Sequence, residues 1–78
     1  GMDLEGYQKA RSILQDALDA AYSAVVYAAI AAEESGSADD HAAHMVAFVV
    51  YEWALADVLY CEYDLGLFEE HEQTVRQQ

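Results

Sequence analysis

The sequence predicts an all-α fold, an antiparallel hairpin of two long helices plus a short C-terminal helical segment, dimerising into a four-helix bundle. Three observations predict it. Apolar residues recur at alternating spacings of three and four, which is the period of a helix and not the alternation of a strand. Proline is absent, and the only clear break, Glu-Ser-Gly-Ser at 34–37, is short enough to force the flanking helices back on each other. Hydrophobic residues make up 55% of only 78, while a single cysteine forbids an intramolecular disulfide. One domain, 1–78, is expected, and self-association is the remaining way to complete its core.

The first helix is expected over about 3–34. Asp3 suits its N-cap. Leu4, Tyr7, Arg11, Leu14, Leu18, Ala21, Val25, Ala28 and Ala32 fall on one seam, and Glu5, Gln8, Ser12, Asp16, Asp19 and Ser23 lie opposite. After Ser23 the polar face disappears, so the second half of this helix is expected to be interior. Ala10, Ala17, Ala24 and Ala31 repeat every seven residues, a stripe small enough to admit a neighbouring helix closely.

The turn is placed at 35–37. Gly36 suits the left-handed residue that ends a helix, and Ser37 suits the next N-cap, with Asp40 three residues on completing a capping-box-like Ser-x-x-Asp. The second helix is expected over about 38–64. Its middle, 45–61, is almost wholly apolar, and its few polar residues are scattered round the helical wheel, the pattern of a helix touched from several directions. A turn centred near Gly36 sets residue i opposite about 72 − i, which pairs Arg11 with Glu62 and Lys9 with Asp64. Beyond Gly66 either the helix continues at a cost of about 1 kcal/mol or a short helical segment over about 67–76 folds back, and a kink or break at Gly66 is the expectation.

Fifteen Asp and Glu stand against three Lys and Arg, a formal charge of -12. This balance argues against nucleic acid and anionic lipid as partners, since both depend on basic side chains, whereas a basic or apolar protein partner remains open. The unbroken apolar runs, 24–32 and 45–51, fall short of the roughly 20 residues that span a bilayer. Extending the second to Cys61 brings in Glu52 and Asp57, both costly in lipid. Gly1 before Met2 reads as a residue left by tag removal, and the acidic start is unlike a secretory signal. A cytoplasmic homodimer without a membrane span is the expectation.

Two sets of residues are candidate sites. Around the turn, Glu34, Asp40, His41 and His44 gather carboxylates and two imidazoles at i,i+3, a set able to hold a divalent metal. The Glu-x-x-His pair of two-metal helical bundles is missing: Ala38, His41 and Phe68 stand three residues before the three histidines. No resident cofactor is expected. On the second helix, Val46, Val49, Glu52, Trp53, Ala56 and Tyr60 are candidates for a subunit interface. An antiparallel mate would bring the two copies of Glu52 towards the dyad, as a polar mark of register.

The tyrosines and Trp53 are expected to fill the core and that interface, and Cys61 to be a small buried side chain. Tyr60-Cys-Glu-Tyr-Asp64 resembles the Tyr-x-x-x-Asp signal near the end of the second helix in the WXG family of small secreted helical hairpins. That resemblance implies a hairpin, although the family's Trp-x-Gly turn is replaced here by Glu-Ser-Gly-Ser. No phosphate loop, zinc spacing or nucleophile motif is present. The expected function is therefore non-catalytic: a small acidic assembly or interaction module, with a metal- or ligand-binding bundle as the alternative.

Overall fold

The computed structural model describes residues 3–77. They form two packed helices, α1 (Leu4–Ser35) and α2 (Ala38–Gln77), joined at Gly36 and Ser37. At 1.5 Å per residue the helices are about 48 and 60 Å long, and the molecule measures 63 × 17 × 15 Å. It is a rod one helix pair thick.

Local hydrogen bonds explain where α1 starts and stops. The Gly6 amide donates to Asp3 Oδ1 at 2.8 Å, satisfying one of the amides that a helix N-terminus leaves free. At the other end Gly36 takes φ 63° and ψ 12°, and its amide donates to the Ala32 carbonyl. The next helix is capped by Ser37, whose Oγ accepts from the Asp40 amide at 3.1 Å. The box is only half made. The Asp40 carboxylate accepts from the Ser35 hydroxyl, and the Ser37 amide donates to Ser35 Oγ. Ser35 thus ties the end of α1 to the start of α2.

The register is the expected one to within a residue. Arg11 Nη2 lies 3.1 Å from Glu62 Oε1, and the Tyr22 and Tyr51 rings stand 6.0 Å apart, so facing residue numbers add to 73. Arg11–Glu62 is the only ion pair among the described residues, so Lys9 and Asp64 do not form the second one. The seam of α1 also falls where expected, with Tyr7, Leu14, Leu18, Val25, Ala28 and Ala32 half-buried and Ala21 buried. From α2 it meets Val58, Cys61 and Leu65, all buried. Cys61 is the small covered side chain expected, its thiol 3.7 Å from the Tyr7 carbonyl oxygen.

Three expectations need correction. First, α2 does not end near 64. It runs unbroken through Gly66 to Gln77, and no separate segment exists over 67–76. A mid-helix glycine costs only about 1 kcal/mol, and Leu65 beside it is held against α1. By the register, Leu4 is level with residue 69, so about two turns of α2 project past the end of α1.

Second, the apolar half of α1 is not interior to the hairpin. Val26, Tyr27 and Ile30 are exposed, because a single partner helix covers only one side. Third, the seven-residue alanine repeat does not lie against α2. Ala10 is half-buried and Ala17, Ala24 and Ala31 are exposed, while Ala21 and Ala28 occupy the seam.

Candidate functional site

The most extensive candidate feature is the side of α2 that faces away from α1. Buried Val58, Cys61 and Leu65 mark the side turned towards α1. Residues two positions away along a helix lie about 200° round it, which puts Ala56, Tyr60, Tyr63 and Leu67 on the far side. Extended towards the turn, this row reads Ala42, Val46, Val49, Trp53, Ala56, Tyr60, Tyr63, Leu67, with spacings of four and three throughout. It is an a/d heptad seam about 37 Å long, and all of it but half-buried Ala56 is exposed, with Tyr60 also bordering a hollow beside Tyr7, Ala10 and Leu14 of α1. Trp53 is 67% exposed and Tyr60 72%.

Five of the six expected interface residues, Val46, Val49, Trp53, Ala56 and Tyr60, lie in this row. Glu52 stands at its edge and is exposed to solvent in the single hairpin. Tyr22, Tyr27, Tyr60, Tyr63 and Trp53 are also mostly exposed, so of the expected core and interface roles they do not fill the core of the single chain. The surface of the seam is not flat. One shallow apolar hollow of about 300 Å³ is lined by Met45, Val46, Val49, Val50 and Trp53. A second, of about 450 Å³, is lined by Ala56, Leu59, Tyr60 and Tyr63.

The acidic turn behaves differently. Asp40 is occupied with Ser35 and with the start of α2, His41 is exposed and His44 is half-buried. Among the described residues no three His, Cys, Asp or Glu side chains converge closely enough to hold a metal ion, so Glu34, Asp40, His41 and His44 do not form the expected set. The physical reason lies in the caps. Spacing brings these residues near one turn of helix, but hydrogen bonds at the helix ends take the best-placed carboxylate.

Both helices are also long and apolar enough to cross a bilayer by length and composition alone. Isolated polar residues such as Glu52 and Asp57 interrupt the apolar runs without lowering the average hydropathy much. Comparison with known proteins finds no match: no family model, curated protein or solved structure is significantly similar to the chain.

Proposed function

We propose that the chain is a small, acidic, non-catalytic assembly module that works as a homo-oligomer, two hairpins pairing along the outer side of α2 so that four helices lie side by side instead of closing into the expected four-helix bundle. The observation that carries this reading is the uncovered heptad seam. Its exposed valines and aromatics form one continuous apolar strip, larger than a lone soluble hairpin tolerates.

Surface area supports the same reading. The chain exposes 5978 Å², whereas a compact monomer of its mass exposes about 4,700 Å². The excess of about 1,300 Å² exceeds the roughly 800 Å² per partner that a standard interface covers. The acids then keep the outside of such an assembly soluble.

A bilayer is the competing cover for the same side chains. Against it stand Glu52 and Asp57 in the middle of α2, where an acid costs about 2.5–3.5 kcal/mol in a transmembrane helix.

Sedimentation velocity on the full chain at micromolar concentration tests the proposal. A dimer or larger assembly is expected. Raising salt from low to high should tighten it several-fold, because each subunit carries a charge of -12 and screening weakens the mutual repulsion. A lone hairpin at these concentrations, or hairpins that leave solution only onto lipid vesicles, would overturn the proposal.

A further inference from the structure

The α2 seam has a direction as well as a composition. We infer that it takes a second copy of itself in antiparallel orientation, with the dyad between Trp53 and Ala56. The inference rests on the homo-oligomeric reading above and adds the surface, the orientation and the register.

Steric fit comes first. The seam is centred between Trp53 and Ala56, so an antiparallel mate brings together residues whose numbers add to about 109. Trp53 then meets Ala56 of the partner subunit, Val49 meets Tyr60 of the partner subunit, and Val46 meets Tyr63 of the partner subunit. Large side chains meet small ones along the seam. A parallel mate would set Trp53 on Trp53 and Tyr60 on Tyr60, and would leave Ala56 facing Ala56 across a gap.

Charge gives a separate reason. In the heptad frame Glu52 is a g position and Asp57 an e position, both exposed. A parallel pair places g of one helix beside the e five residues on in the other, so Glu52 would face Asp57 of the partner subunit twice. Like charges held together in this way oppose association. In the antiparallel pair g faces g and e faces e. Glu52 then lies beside Leu59 of the partner subunit, and Asp57 beside Val50 of the partner subunit. No acid on the seam's edges meets another acid.

Disulfide trapping tests the inference in a Cys61→Ser background. Two single variants, Ala42→Cys and Leu67→Cys, put a thiol at either end of the seam. In the antiparallel register the two Ala42 positions are about 37 Å apart along the axis, while Ala42 lies level with Leu67 of the partner subunit. Neither variant alone should form a disulfide dimer under mild oxidation, and an equal mixture should give the mixed dimer as its main product. Self-crosslinking of each variant would show a parallel seam and overturn the inference.

Trp53→Glu and Tyr27→Glu separate this inference from the broader reading. Both residues are exposed in the hairpin, so neither change should unfold it. Trp53→Glu should weaken association at least 100-fold, and Tyr27→Glu on α1 should leave it within a few-fold. A dimer that survives Trp53→Glu but not Tyr27→Glu assembles through another face, which refutes the seam and leaves the assembly module standing. A parent chain that is monomeric refutes both.

Discussion

Replacing each of two glycines by alanine should have opposite effects. Gly66 has helical backbone within α2, and a Cβ added there meets nothing within 4 Å. Alanine gains about 0.8–1.0 kcal/mol over glycine in a helix interior, partly by restricting the unfolded chain. With no contact to subtract from that gain, Gly66→Ala should stabilise the fold by about 1 kcal/mol. For a domain of this size that raises Tm by about 4–8 °C.

Gly36 has equally open surroundings, but its φ is +63°. The left-handed region costs an L-residue about 1–2 kcal/mol, so Gly36→Ala should lower Tm by a similar or larger amount. Thermal unfolding followed by far-UV circular dichroism, at matched chain concentrations, reads both. A Gly66→Ala variant that melts at or below the parent would refute a continuous α2. A harmless Gly36→Ala would refute the left-handed turn.

Two further outcomes follow from burial. Leu65→Ala should cost about 2 kcal/mol in urea unfolding, the low end for a leucine truncation because the seam can partly collapse, Leu65 being 8% exposed against α1. Arg11→Ala should cost at most about 0.5 kcal/mol, since the side chains of its pair with Glu62 are 54% and 44% exposed; a double-mutant cycle with Glu62→Ala isolates the coupling.

Much of the hairpin is legible in the residues. Gly36, Ser37 and Asp40 encode the turn through local hydrogen-bond and backbone preferences that need no tertiary context. The Arg11–Glu62 register then follows from counting outward from that turn. The seam from Leu4 to Ala32 is likewise carried by its period.

Coverage was not legible. The pattern after Ser23 states that Val26, Tyr27 and Ile30 suit burial, yet a single partner helix offers only one line of contact. Continuity at Gly66 was hidden for a different reason: a penalty of about 1 kcal/mol is easily outweighed by packing at neighbouring Leu65. The acidic turn misled because proximity in sequence does not show which carboxylate a cap will recruit.

The distribution of burial along the rod bears on how it folds. The turn half closes the shortest loops, but Val58, Cys61 and Leu65, the covered residues of α2, lie in the open half. Cys61 meets the Tyr7 carbonyl across 54 residues of chain. Closing a loop of that length costs about 1.5 kcal/mol more than closing one of about ten residues. The hairpin therefore starts where ordering is cheapest and is held where ordering is dearest. A half-zipped chain has gained little to retain it, so the rod should form and come apart as one cooperative unit rather than fraying progressively towards its turn.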